Sequence, residues 1–186
     1  AELEDKGFII TPENKTTIAQ RYLDYQVSVF AGTSLHIIVP TIRCNQTCVY
    51  CYALRKPPST EGVDMDEATA KSVVDFIFNT PSKAITIEFT GGEPLLNFPI
   101  MRYVVEYSQE LNQKLDKEHK KDLKYALVTN VTLMTEEIAD FLVSHGIGIC
   151  ISLDGPEELH NTHRKYIDGS STYTQVEYWI KKLKIK

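Results

Sequence analysis

Residues 34–51 read SLHIIVPTIRCNQTCVYC, an apolar run that ends in a proline and opens into three cysteines. Residues 34–40, with Ile37, Ile38 and Val39, have the length and β-branched content of a buried strand. A strand that feeds a polar loop is the first half of a βα unit, and the pattern recurs down the chain. Residues 66–78 place Ala70, Val73, Val74 and Ile77 on one helical face, with Asp64 and Glu67 resembling a capping box at the start. Residues 84–90 read as a second strand closed by Gly91-Gly92, and residues 99–115 as a second helix with Val104, Tyr107 and Leu111 on one side. Residues 116–122 form a charged, solvated connection. Residues 125–129 are the third strand, and 135–144 the third helix, opened by Thr135, Glu136 and Glu137 and stopped at Gly146. Residues 147–153 are the fourth strand, and 172–183 the fourth helix, whose apolar face is Tyr173, Val176, Ile180 and Leu183.

Four consecutive βα units predict an α/β fold: a parallel sheet with helices packed outside it. Sites in such folds lie beyond the C-terminal ends of the strands. The cysteine loop, the run Gly91-Gly92-Glu93-Pro94, Thr129-Asn130 and Ser152-Leu153-Asp154-Gly155 all fall there. Cys150, two residues before Ser152, reads as a small buried thiol. His160 and His163 read as solvated loop residues near Arg164. Residues 18–29 read as a helix outside the sheet, so residues 1–33 are an N-terminal extension and 34–186 the domain proper.

The 186 residues, 42% of them hydrophobic, suit one globular domain with a real core. A net charge of −5 argues against a general nucleic-acid or anionic-membrane surface. No apolar run approaches the roughly 20 residues of a membrane span, and no secretory signal opens the sequence. Three of the four cysteines are clustered, which reads as metal binding in a reducing, cytoplasmic compartment rather than as a disulfide framework. The chain stops inside a Lys-rich helical stretch and is expected to be a piece of a longer protein.

Cys44, Cys48 and Cys51 have the spacing C-x-x-x-C-x-x-C. Three thiolates can hold three corners of a [4Fe–4S] cube, which ordinarily takes four. The missing ligand leaves one iron open to a substrate-derived group, as catalytic zinc sites keep an open position. The competing readings are a zinc site completed by one of the histidines at 36, 119, 145, 160 or 163, and thiols that are merely buried.

With Tyr50 before the third cysteine, the loop resembles the signature of the radical S-adenosylmethionine (SAM) superfamily. That resemblance implies a partial (β/α)6 barrel, with four βα units in this chain. It implies two cofactors: a [4Fe–4S] cluster on Cys44, Cys48 and Cys51, and SAM on the open iron. The expected chemistry is reductive cleavage of SAM to a 5′-deoxyadenosyl radical, fed by a single-electron donor such as flavodoxin or ferredoxin. Gly91, Gly92, Glu93 and Pro94 resemble the family's GGEP motif, which receives the SAM amino group through backbone oxygens and the Glu. Ser152 and Arg164 match positions that contact SAM's carboxylate and ribose, and a planar guanidinium suits a carboxylate. Asp154, on the face of Ser152, and Asn130, after the third strand, are further candidates for the SAM site.

The phrases SLHIIVPTIRCNQTCVYCYA, IEFTGGEPLLN and SLDGPEELHNTHR resemble peptide-modifying members with SPASM-type extensions. They are closest to His-Xaa-Ser-system maturases and their cyclophane-forming relatives, and similar to anaerobic sulfatase maturases. The implied partner is a ribosomally made peptide or protein, with no nucleic acid and no membrane. The alternatives are a radical SAM enzyme on a small molecule and a non-catalytic zinc-stabilised module. The catalytic acid of some sulfatase maturases would fall beyond Lys186 and is not assigned.

Overall fold

The computed structural model describes residues 2–184. Two helices come first, α1 (Glu2–Asp5) and α2 (Lys15–Phe30), followed by the strand β1 (Leu35–Ile38). Helix α3 (Glu67–Phe78) leads to β2 (Ala84–Phe89), and a 3-10 turn (Pro94–Asn97) runs into α4 (Phe98–Lys114). Next come β3 (Asp122–Thr129), α5 (Glu136–Ser144), β4 (Gly148–Ile151), α6 (Glu157–His163) and α7 (Tyr173–Leu183). The four strands form one parallel sheet in the order β1-β2-β3-β4, the architecture that the alternation implies. No helix among the described residues is long and apolar enough to cross a membrane.

The period-2 alternation of each strand sends one set of side chains into a core and leaves the other set bare. Ile38, Ile85, Ile87, Phe89, Tyr125 and Leu127 pack under the helices with Val74, Ile77, Val104, Val105, Leu142 and Trp179. The opposite face carries Leu35, Ile37 and Val39, all exposed. The sheet is therefore covered on one side, and its bare face explains one miss. Cys150 is exposed, not buried, because it points to the uncovered face while Ile149 and Ile151 take the core side of β4.

Other departures have local causes. The N-cap of α3 is Asp66, whose carboxylate accepts from the Thr69 amide at 2.7 Å. Asp64, the expected cap, instead accepts from Thr41 Oγ1 at 2.5 Å and pairs with Arg43. β3 starts at Asp122, within the stretch expected to be a solvated connection, because that backbone pairs with Ala84 of β2. Ladder pairing needs no apolar side chain and leaves no mark in the hydropathy pattern. Helix α6 opens on Pro156 with no side-chain cap, so the usual start signal is missing. His160, expected on a solvated loop, lies on that helix and is fully buried.

A core on one side only has a measurable consequence. Phe89 is 0% exposed and Ile37 is 58% exposed. Phe89→Ala is expected to cost about 3–5 kcal/mol, and Ile37→Ala to stay within about 0.5 kcal/mol, in urea unfolding of the 186-residue chain. Equal losses from the two variants would mean that the bare face is packed in solution.

Candidate functional site

The cysteine loop leaves β1 and is fastened on three sides. The Cys44 amide donates to the Lys56 carbonyl at 2.9 Å, and the Lys56 amide to the Ile42 carbonyl at 2.8 Å. Arg43 reaches across the same segment, donating from Nε to Asp64 at 2.8 Å and from Nη1 to the Pro58 carbonyl at 2.7 Å. On the second side lies the segment after α6. The Thr47 amide donates to the Lys165 carbonyl at 2.8 Å, and the Val49 amide to the His163 carbonyl at 3.1 Å. The third side is the turn after β2, where the Gly92 amide donates to the Thr41 carbonyl at 3.1 Å and the Glu93 amide to the Arg43 carbonyl at 2.7 Å.

The two glycines of that turn are required by the approach. Gly91 has φ +125°, and a Cβ on Gly92 would stand 2.2 Å from the Arg43 carbonyl oxygen. Gly92 is thus demanded first by the cysteine loop behind it, although both glycines also line a pocket on the rim. Glu93 lies beneath the pocket, not in its wall: it is 0% exposed, and its carboxylate is turned to the strand ends. It accepts from Thr129 Oγ1 at 2.7 Å, from the Asn130 amide at 2.8 Å and from the Leu95 amide at 3.1 Å. Burial pushes its pKa up, against the pull of those three donors. Pro94 is buried with it as the first residue of the 3-10 turn.

Cys44, Cys48 and Cys51 are free thiols that face this pocket, which Cys150 does not line. Cys44 is 7% exposed, and burial pushes its thiol up to about 11. Burial also raises Cys48, opposed by the Arg164 guanidinium, whose Nη1 lies 3.8 Å from its sulfur. Cys51 is exposed. Arg164 comes from the C-cap of α6 and also donates from Nε to Asp154 at 2.8 Å. The other Asp154 oxygen accepts from the Tyr50 hydroxyl, and the Arg164 guanidinium stands 5.3 Å over the Tyr50 ring. Burial disfavours the Asp154 anion, but the Tyr50 and Arg164 hydrogen bonds outweigh it and lower its pKa. Arg164, Tyr50, Ser152 and Asn130 line the pocket; Asp154 stands behind Tyr50 and Arg164 as their brace.

Sequence reasoning missed the hydrogen bonds that tie the rim together. Asn130 donates to Asn45 Oδ1 at 2.9 Å and accepts from Thr132 Oγ1 at 2.7 Å. His160 accepts from the Asp154 amide at 3.4 Å, and its Nε2 meets Thr172 Oγ1, which donates to the Arg164 carbonyl at 2.8 Å. Burial lowers the His160 pKa, keeping the ring neutral for that arrangement. Gln46 is 1% exposed and lines the pocket, yet its Nε2 has no hydrogen-bond partner among the described residues. An unmade bond of this kind costs about 1–3 kcal/mol. The available signal was a long amide between two cysteines, in a loop where an apolar residue would pack as well.

These residues fit an iron–sulfur group with an organic ligand beside it. Three thiols and an unpartnered amide face one pocket whose floor two glycines keep clear of side chains. Among the described residues no group of three or more His, Cys, Asp or Glu converges on a single metal ion.

A parallel α/β sheet with three thiols at its C-terminal rim defines a cofactor-binding enzyme of the partial-barrel class. The model of the Radical SAM superfamily matches residues 38–186, and the chain belongs to that superfamily, whose members use a [4Fe–4S] cluster and SAM. A cysteine-type anaerobic sulfatase-maturating enzyme of Clostridium perfringens is 32% identical over 140 residues, covering 72% of this chain and 36% of that protein. The radical SAM cyclopropyl synthase TigE of Paramaledivibacter caminithermalis is 26% identical, covering 99% of this chain and 40% of its own. The solved structure described as native anSMEcpe with bound AdoMet aligns with TM-score 0.70 and 28% identity, over 81% of this chain and 40% of that one. The same enzyme with bound AdoMet and Cp18Cys peptide gives TM-score 0.69. The chain thus spans well under half the length of these relatives.

The burial order of the thiols predicts their reactivity. Among the three pocket thiols of the cluster-free protein, limiting iodoacetamide should alkylate Cys51 first and Cys44 last, because Cys51 is exposed while Cys44 is buried and its thiol is pushed up by that burial. Peptide mass spectrometry reads the order, and early labelling of Cys44 would contradict the buried loop.

Proposed function

We propose that this chain is the radical-generating core of an enzyme that matures a ribosomally made peptide or protein, with a [4Fe–4S] cluster on Cys44, Cys48 and Cys51 and SAM in the pocket beside them. The observation that carries the reading is the meeting of three free thiols with the Gly91-Gly92 floor in one pocket at the strand ends. Cluster and SAM together, given one electron, supply methionine and a 5′-deoxyadenosyl radical that takes a hydrogen atom from substrate. The chain's own residues bind and orient. Gly91 and Gly92 offer backbone to the methionine end of SAM, and Ser152 and Asn130 offer polar groups from the neighbouring strand ends. Arg164 offers the rest of its fork to a carboxylate. Glu93 acts through the Thr129 and Asn130 positions it holds, and Asp154 through Tyr50 and Arg164.

The peptide or protein substrate is supported by the names of the relatives, among them sulfatase-maturating enzymes, and by a neighbour solved with a peptide. In this reading residues 34–186 are the radical unit and residues 1–33 an extension. The electron comes from a flavodoxin or ferredoxin in a reducing cytoplasm, and a SPASM-type extension belongs to the whole protein.

Anaerobic reconstitution should yield a brown protein with about four iron per chain. Replacing Cys44, Cys48 or Cys51 by Ala should each abolish the iron and the formation of 5′-deoxyadenosine, while Cys150→Ala keeps both. A colourless protein with one tight zinc would overturn the assignment. Incubating the complete protein with peptides encoded beside its gene, and reading their mass, tests the substrate class. SAM cleavage without a mass change on any of them would count against it. Arg164→Ala should weaken SAM by about 1.5–3 kcal/mol if it makes a charged hydrogen bond. Unchanged affinity in anaerobic equilibrium binding would leave Arg164 as a structural partner of Asp154 and Cys48.

A further inference from the structure

Only half of the Gln46 carboxamide has a partner: its oxygen accepts from Cys48, while its nitrogen has none among the described residues. Its backbone is pinned: the Thr47 amide donates to the Lys165 carbonyl at 2.8 Å and the Ile167 amide to the Asn45 carbonyl at 3.3 Å. The side chain is 1% exposed. One end of its carboxamide, Oε1, lies 3.7 Å from Cys48 Sγ. The other end, Nε2, is buried with no partner among the described residues. Its own backbone amide donates to Cys44 Sγ at 3.4 Å. Buried amide N–H groups without an acceptor are rare, and each asks for an explanation.

The chemistry of the amide supplies one. Its oxygen and nitrogen are nearly the same size, so a half-turn exchanges acceptor for donor without repacking. With Cys48 as a thiol, S–H donates to Oε1. As a ligand to iron, the sulfur can only accept, and the half-turn brings an N–H to it. Neither of the ordinary core residues of this size, Leu or Met, could serve both states.

We propose that the Gln46 carboxamide donates an N–H···S hydrogen bond to the sulfur of the cluster and so raises its reduction potential, an inference that rests on the cluster ligation proposed above. Reduction adds one electron, from a protein donor or a chemical reductant, to a group whose sulfurs already carry negative charge. An N–H dipole aimed at that sulfur favours the more negative state, and hydrogen bonds to sulfur are among the levers that set such potentials. Gln46 is a tuning residue: it touches neither substrate nor the bond that breaks.

The test is a reductive titration of the reconstituted full chain with dithionite and mediators, followed by electron paramagnetic resonance. Gln46→Leu should keep its iron and shift the midpoint to more negative potential. Gln46→Glu removes the donor and adds charge, so its shift should be larger. A second measurement leaves the sequence intact. Among the described residues Gln46 is the single glutamine lining the pocket, so protein labelled with 15N in glutamine side chains should show a 15N hyperfine coupling on the reduced cluster. An iron-replete Gln46→Leu variant with the wild-type midpoint overturns the inference, as does absence of the coupling. If the Leu variant loses its iron, the coupling in the unaltered protein decides. Wild-type protein that takes up no iron would fail the cluster ligation and this inference together, whereas iron-replete protein without the coupling fails this inference alone.

Discussion

The backbone of Gly92 runs so close to the Arg43 carbonyl that even a methyl group would stand 2.2 Å from it, and the rim of the sheet is assembled around that approach. It lets the Glu93 amide bond the Arg43 carbonyl, which sets the height of the cysteine loop over the end of β2. It also drops the Glu93 side chain beneath the pocket, where its carboxylate gathers Thr129, the Asn130 amide and the Leu95 amide. One turn thus links the ends of β1, β2 and β3. A side chain at Gly92 would push the cysteine loop away before it disturbed any ligand in the pocket.

The buried polar groups follow the same geography. Among the described residues, Thr41, Gln46, Glu93, Asn97, Thr129, Asn130, Thr132, His160 and Thr172 are buried at or just beneath the rim, while Ser108 alone sits away from it, bonded to Tyr125 in the core. Inside a protein such groups are costly unless paired and stiff once paired. Their concentration at one end makes the loop and strand ends a preorganised cradle, with partners that lock the side chains facing the pocket. At the rim the exception is the Gln46 amide nitrogen, which has no partner among the described residues.

Charge is arranged with similar economy. Arg164 stands between Asp154 and the Cys48 sulfur, so one cation serves a carboxylate and the pocket thiol at once. His160 holds the backbone on both sides of that pair, through the Asp154 amide and through Thr172 to the Arg164 carbonyl. It does this as a neutral ring, so the half-buried pair is positioned without a second positive charge beside the thiols.

Much of this was legible in the residues themselves. The alternation of β-branched runs with amphipathic stretches determined four parallel strands and the helices between them, because side-chain periodicity is a local property of the backbone. The cysteine spacing and the GGEP run marked the rim for the same reason: each is a short segment whose chemistry does not depend on its neighbours. Tertiary structure decided the rest. Whether Cys150 is buried depended on which face of the sheet the helices cover, and whether Asp64 caps a helix or clasps Arg43 depended on a loop that passes 21 residues away in sequence. That Glu93 braces the strands from beneath, that His160 is interior, and that Gln46 is buried with an unpartnered amide nitrogen are facts about distances between segments far apart in the chain. Those distances are set by packing and by backbone hydrogen bonds between segments, and no one-dimensional pattern of residue types records them.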